Sequence, residues 1–156
     1  MNTTNGVSYQ HTQRGTLILI MLPAMALGLI SIAHSTAFYP LLISVPVLLI
    51  VTLLFGWLSV KITPHELRWQ FGPGLIRKTV LLADIASVRP IQTSVLQGWG
   101  IHLTCYGWLY NVSGFGAVVV TLRNGKRFAL GTDEPKKLAD ALAKQLTPEP
   151  VSIFKA

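Results

Sequence analysis

Few residues of this sequence could carry out covalent chemistry: it holds one cysteine, four histidines and six acidic residues. Cys105 and His102 lie three positions apart in a segment whose pattern predicts a β-strand. Successive side chains of a strand point to opposite faces, so this spacing does not pair a thiol with an imidazole as nucleophile and base. We therefore predict no catalytic residue and no enzyme activity.

The same residue types do not have the spacing of a metal or cofactor site. The histidines are scattered along the chain, at positions 11, 34, 65 and 102. Structural zinc sites use several cysteines or closely spaced histidines, and this chain offers neither. Gly114-Phe115-Gly116 is not a nucleotide fingerprint, because no strand-to-helix junction follows it. The sequence predicts no metal and no cofactor.

The charge of the chain is strongly basic, with thirteen Lys and Arg residues and a formal net charge of +7. The basic residues are scattered, and no recognition helix or stacking platform is evident, so we expect no nucleic acid partner. Anionic lipids attract basic groups near a membrane surface by about 1 kcal/mol each. The alternative is that these charges serve only topology and solubility.

A segment rich in glycine and aromatic residues, 98–116, is a candidate binding surface. Glycine permits turns and close backbone approach, and exposed aromatic side chains are frequent anchors of protein interfaces. In the alternative interpretation, the glycines form barrel corners and the tryptophans lie in the core. The candidate partner-binding residues are Trp99, Trp108, Tyr110 and Phe115.

The first part of the chain that could form secondary structure is an uncharged, mostly aliphatic stretch between Arg14 and Lys61. Its segments 16–33 and 38–60 would reach about 27 and 34 Å as helices, against a hydrocarbon core of about 30 Å. The sequence therefore predicts a membrane α-helical hairpin of two transmembrane helices. Basic residues flank the spans and the link 34–37 has none, which places both termini in the cytoplasm. We expect a multi-pass protein of the inner (plasma) membrane.

From Lys61 onward the pattern is that of a small β-rich domain. Residues 66–71 alternate, 117–122 form the strongest strand, and Asn124-Gly125 predicts a tight type I′ hairpin turn. Thr132-Asp133-Glu134-Pro135 predicts a helix start. We expect about seven antiparallel strands closed by one C-terminal helix. The predicted divisions are a disordered N-terminus 1–15, the spans within 16–60, a cytoplasmic domain 61–147 and a tail 148–156.

The predicted domain resembles the bacterial pleckstrin-homology (PH) domains of small membrane proteins. The residues that carry this resemblance are Ile62-Thr63-Pro64-His65-Glu66-Leu67, Phe71-Gly72-Pro73-Gly74, Asp84-Ile85-Ala86-Ser87-Val88, Gly98-Trp99-Gly100-Ile101, Gly107-Trp108-Leu109-Tyr110-Asn111-Val112-Ser113-Gly114 and Gly131-Thr132-Asp133-Glu134-Pro135. The resemblance covers 61–146 and implies a split barrel closed by a C-terminal helix. It implies little about chemistry, because such folds are reused for many partners.

In PH domains the first hairpin often supplies phosphate-binding basic residues, which here implies Arg68, Arg77 and Lys78 around the turn Gly72-Pro73-Gly74. The basic residues are less dense here than in the lipid-binding members. The function expected from the sequence is a noncatalytic binding or assembly module at the cytoplasmic face of the membrane. Its expected partners are the lipid bilayer and another membrane protein or further copies of itself. The alternative is sensing of anionic lipid headgroups through these three basic residues.

Overall fold

The computed structural model describes residues 6–32, 38–94 and 100–146. Within these ranges the chain forms nine β-strands, three α-helices and one short 3-10 helix. In chain order, the strands and α-helices are β1 (Tyr9–Arg14), α1 (Thr16–Ile32), α2 (Phe38–Phe55), β2 (Trp57–Ile62), β3 (Glu66–Phe71), β4 (Ile76–Leu81), β5 (Ile85–Gln92), β6 (Gly100–Thr104), β7 (Gly107–Asn111), β8 (Gly116–Leu122), β9 (Arg127–Gly131) and α3 (Pro135–Leu146).

The strands form two sheets that share one core. The first sheet has the order β1-β2-β3-β4, and the second has the order β5-β8-β9-β7-β6. All neighbouring strands are antiparallel except β7 and β9, which are parallel. The alternation in β3 buries Leu67, Trp69 and Phe71 on one face, as the sequence predicts. These side chains pack with those of β8 and β9 in a single hydrophobic cluster.

Helix α3 closes the core at one end of the two sheets. Leu138 and Leu142 are fully buried in the shared cluster. The hydroxyl of Thr132 accepts a hydrogen bond from the Glu134 N–H at 3.1 Å, just before the helix begins at Pro135. The predicted helix start and the predicted C-terminal helix are therefore confirmed.

The predicted transmembrane helices are wrong. α1 has 17 residues and α2 has 18, and α2 ends at Phe55 rather than at Val60. Residues 57–60 belong to β2, where they pair with β1. In the described ranges, none of the helices has the length and apolar character that crossing a membrane requires. The membrane hairpin and the multi-pass inner-membrane location expected from the sequence are corrected accordingly.

The strands also differ from the expected set of about seven antiparallel ones. The N-terminal segment, expected to be disordered, contributes β1, whose six residues pair with β2 from Tyr9↔Ile62 to Arg14↔Trp57. This strand has no alternating apolar pattern, because two of its three core-facing residues, His11 and Gln13, are polar. Leu58 and Val60 of β2 belong to the core, so the β-domain begins before Lys61.

Candidate interaction surfaces

The two helices α1 and α2, hereafter the helical hairpin, are inserted between the neighbouring strands β1 and β2. Arg14 and Trp57 are register partners at the ends of these strands. Beyond them, the Gly15 N–H donates a hydrogen bond to the carbonyl oxygen of Gly56 at 2.8 Å. The helical hairpin is thus a direct continuation of the β1–β2 ladder, and backbone hydrogen bonds set its position on the domain.

The turn between β3 and β4 packs against the last turn of α2 without room for a side chain. Gly72 has a φ of +49°, and a Cβ at this position would lie 2.2 Å from the carbonyl oxygen of Leu53. The Gly72 N–H donates to the carbonyl oxygen of Trp57 at 2.9 Å. Because only glycine combines this backbone conformation with such a close approach, the base of the helical hairpin depends on this residue.

Among the side chains of the helical hairpin that the structure describes, thirteen large apolar ones are exposed, each between 37% and 71% accessible. They are Leu17, Ile20, Met21, Met25, Leu27, Leu29, Ile30, Leu42, Ile43, Val47, Leu49, Ile50 and Leu53. Together they expose on the order of 1,000 Å² of apolar surface, whereas the largest patch on a typical monomer is roughly 300–600 Å². Neither helix contains a charged residue. An apolar surface of this extent marks an interaction site.

An apolar groove lies between the helical hairpin and the strand β6. It has a volume of about 420 Å³ and is lined by α1, by Val51 and Phe55 of α2, and by Gly100 and Ile101 of β6. The groove extends the exposed apolar surface from the helices onto one edge of the second sheet.

The four aromatic candidates of the sequence do not form one surface. Trp108 and Phe115 are 50% and 43% exposed, whereas Tyr110 is only 3% exposed. The Tyr110 ring lies edge-on to Trp69, with a centroid separation of 5.3 Å, and contacts Phe128 in the core. Trp99 lies outside the described residues. Of the described candidates, Trp108 and Phe115 are available to a partner and Tyr110 is a core residue.

The three basic candidates of the first hairpin lie on two different faces. Arg68 and Arg77 point outward, each opposite a polar residue of the neighbouring strand. Lys78 is the register partner of the buried Trp69, and its Nζ lies 5.4 Å from the centroid of the Tyr110 ring, within range of a cation–π contact. Adjacent residues of a strand direct their side chains to opposite faces, so Arg77 and Lys78 point different ways although both border one cavity beside β3 and β4.

The outer face of the first sheet holds further basic residues that the sequence analysis did not select. Lys61 is the register partner of Arg68, an unfavourable juxtaposition of like charges. Arg68 also forms an ion pair with Glu66, with 2.5 Å between its guanidinium nitrogen and the carboxylate oxygen. In the described strands this face carries one acidic residue, Glu66, and four basic residues, namely Arg14, Lys61, Arg68 and Arg77. In β2, apolar core residues alternate with outward-facing ones, and this alternation places Lys61 on the outer face. It is the sequence signal that could have identified Lys61.

A polar cluster missed by sequence reasoning joins β1 to the start of α3. The Nε2 atom of His11 lies 2.5 Å from the Asp133 carboxylate, and its Nδ1 atom lies 3.7 Å from that of Glu134. Burial, followed by the nearby negative charges of Glu134 and Asp133, raises the pKa of Tyr9 to about 12. The cluster ties the N-terminal strand to the helix that closes the core. Sequence spacing gives no signal for it, because more than 120 residues separate His11 from Asp133.

The residues considered for catalysis are not assembled into a catalytic or metal site. Cys105 is exposed in the turn between β6 and β7, and His102 lies on β6. Among the described residues, the search for three or more His, Cys, Asp and Glu side chains arranged to hold a metal ion finds no group. That this protein is not an enzyme stays a prediction.

Comparison with known proteins gives no relative from which a function could be transferred: no family model and no curated protein matches this chain. The resemblance to PH domains therefore stays a prediction.

Proposed function

We propose that this protein is a noncatalytic assembly module that binds further protein chains, including copies of itself, through its helical hairpin. The observation that carries this proposal is the set of thirteen exposed apolar side chains on two uncharged helices. A surface of this kind is stable in water only when another apolar body covers it.

The extent and placement of this surface support an interface. A standard protein interface buries about 800 Å² on each partner. The exposed apolar area of the helical hairpin is at least of this size, and it continues into the groove beside β6. The glycine-packed base holds the helices on a folded domain, so the surface is presented in a defined orientation. A pre-organised surface loses less conformational freedom when it binds.

Charges introduced into the helical hairpin should disrupt assembly. Leu27 and Ile43 are 65% and 71% exposed, one on each helix, so the change Leu27→Lys with Ile43→Lys leaves the core untouched. Burying each large apolar side chain is worth about 1.5–3 kcal/mol. We therefore expect the association constant, measured by analytical ultracentrifugation of the full chain, to fall at least about 100-fold in the double variant.

The matched control is Leu81→Lys, a change of the same kind at a leucine that is 53% exposed at the far end of β4. This variant should associate like the unmodified chain. The assembly proposal would be wrong if the unmodified chain sedimented as a monomer of 17.1 kDa over the measured concentrations and captured no protein partner. It would also be wrong if it bound only to uncharged phospholipid vesicles, because the occupant of the hairpin surface would then be lipid.

A second candidate function is binding of anionic headgroups at the outer face of the first sheet. The observation that favours it is the excess of basic residues on this face, with Arg68, Arg77 and Lys61 on three neighbouring strands. A cavity of about 350 Å³ lies beside β3 and β4 and is lined by Arg68, Trp69, Gln70, Arg77, Lys78 and Thr79. Lys78 borders this cavity, but its Nζ lies 5.4 Å from the centroid of the Tyr110 ring, on the face opposite to the two arginines.

Removal of the two arginines should weaken binding to vesicles that contain an anionic phospholipid. With about 1 kcal/mol for each basic residue near the surface, the variant Arg68→Ala with Arg77→Ala should bind roughly 30-fold less tightly in a co-sedimentation assay. The control variant Lys126→Ala with Lys136→Ala loses the same charge away from this face, in the β8–β9 turn and in α3. Equal losses in the two variants would mean that only the net charge matters and would contradict a site on the outer face.

A further inference from the structure

The four edge strands of the described sheets differ in how they are protected. An open edge offers unpaired backbone N–H and C=O groups to another chain, and proteins usually block such edges with charged residues or proline. Three of the edge strands carry such residues. They are Arg14 in β1, Arg77 and Lys78 in β4, and Arg89 and Pro90 in β5. The fourth edge, β6, has the sequence GIHLT and carries neither.

The register of β6 shows which of its backbone groups are unpaired. A two-residue turn joins β6 to β7, and Thr104 and Gly107 are the register partners that close it. The closing pair of such a turn is hydrogen bonded, and hydrogen-bonded pairs alternate with non-bonded ones along the strands. The backbone groups directed toward β7 are therefore those of Thr104, His102 and Gly100. Ile101 and Leu103 direct theirs toward the open edge.

The side chains of these two residues form an apolar strip on one face of the sheet, in which Leu103 is exposed and Ile101 is half-buried against the core. Leu103 is 69% exposed, and its register partner Trp108 is 50% exposed. Ile101 lines the groove beside the helical hairpin. The free backbone groups of β6 thus belong to two apolar residues, one exposed and one half-buried, and this edge adjoins the surface proposed for assembly.

We propose that β6 pairs with β6 of a second copy of this chain, antiparallel about a twofold axis at His102, so that the second sheet continues from one copy into the other. In this register Ile101 of each copy lies opposite Leu103 of the other. Each such pair exchanges two backbone hydrogen bonds, which gives four in all. This inference rests on the proposed assembly function and names the partner as a second copy.

The chemistry of the strand favours a copy of itself over another partner. The two residues with free backbone groups are both large and aliphatic, and the twofold axis exchanges them, so the surface is self-complementary as a symmetric dimer requires. The strand has no charge that would repel its own copy. Pairing would also bring Leu103 of the second copy onto the strip beside Ile101, next to the apolar groove.

A disulfide across the axis tests this register. In the variant His102→Cys with Cys105→Ser, the two introduced cysteines would face each other as a non-hydrogen-bonded pair with Cα atoms about 4.5 Å apart, which is within the range of a disulfide. We expect mild oxidation of the full chain to convert most of it to a species of twice the 17.1 kDa chain mass on a non-reducing gel. The control Thr104→Cys with Cys105→Ser places its two cysteines about 14 Å apart and should not cross-link.

A second variant tests the pairing without a cysteine. Leu103→Lys places a charge at the exposed edge, keeps the fold measured by circular dichroism, and should lower the dimer association constant at least tenfold.

Equal cross-linking at positions 102 and 104, or no cross-linking at either, would overturn this inference. If the hairpin variant dissociates but position 102 does not cross-link, only the β6 inference fails. If position 102 cross-links but charges in the hairpin leave the sedimenting mass unchanged, only the proposed hairpin function fails.

Discussion

Replacement of Gly72 by alanine should lower the unfolding free energy by about 3 kcal/mol or more, one of the two largest losses that we predict for a single substitution in this chain. The added Cβ would lie 2.2 Å from the carbonyl oxygen of Leu53 and 2.9 Å from that of Leu54, and both are backbone atoms that cannot rotate away. Left-handed backbone costs a residue with a side chain about 1–2 kcal/mol, and overpacking typically costs a further 1–3 kcal/mol. Urea denaturation at fixed protein concentration measures the loss.

Two other glycines separate the contributions to this effect. Gly125 has a φ of +82°, but no atom lies within 4 Å of the position that a Cβ would occupy. Gly125→Ala should therefore lower the unfolding free energy only by the cost of the left-handed backbone, about 1–2 kcal/mol. Gly28 lies in α1 with no such neighbour, and Gly28→Ala should be neutral or stabilising by up to about 1 kcal/mol. If Gly72→Ala were as mild as Gly125→Ala, the contact between the β3–β4 turn and α2 would not exist as described.

Substitution of Tyr110 by alanine should destabilise the fold by about 3–5 kcal/mol, the usual range for removal of a large buried aromatic side chain. Tyr110 is 3% exposed and lies between Trp69, Phe71 and Phe128, so its removal leaves a cavity at the centre of the shared core. The measurement is again the midpoint of urea denaturation, which should fall without a large change in its slope.

Trp108 is the matched control for Tyr110, because it lies two positions away on the same strand and is 50% exposed. Trp108→Ala should change the unfolding free energy by less than about 1 kcal/mol, since the residue is already half exposed to solvent. A larger loss for Trp108 than for Tyr110 would contradict the placement of the two rings. Together the two variants show which aromatic ring of β7 lies in the core and which lies on the surface.

The apolar character and approximate position of the two helices were predictable from the sequence, but their lengths were not. The predicted second span ran to Val60, whereas α2 ends at Phe55 and the next residues enter β2. Leu58 and Val60 are apolar in a strand as well as in a helix, so hydropathy does not distinguish the two. Pairing with β1 and with β3 decides between them, and those partners are distant in the chain.

In the candidate sites, too, the residue types were predictable from the sequence, whereas their arrangement was not. The sequence identified Arg68, Arg77 and Lys78 as neighbours of one turn, but only the strand register separates Lys78 from the two arginines. Trp108 and Tyr110 share a face of β7, and their different burial depends on which part of that face the other sheet covers. The open edge of β6 follows from strand order, which no local pattern reveals.

By itself, the sequence determined the features that depend on interactions between near neighbours. The alternation of Leu67, Trp69 and Phe71, the position of a turn at Asn124-Gly125 and the start of α3 are of this kind, because period, turn preference and capping act within a few residues. The predicted type I′ geometry of that turn is wrong. Asn124 does not have a positive φ, and the Leu122 N–H donates to the carbonyl oxygen of Lys126, which leaves a loop of three residues. Only the tertiary structure decided where α2 ends, that the N-terminal segment forms β1, which aromatic rings are buried and which sheet edge is open. Each of these depends on contacts between residues far apart in the chain, and such contacts leave no periodic signal in the sequence.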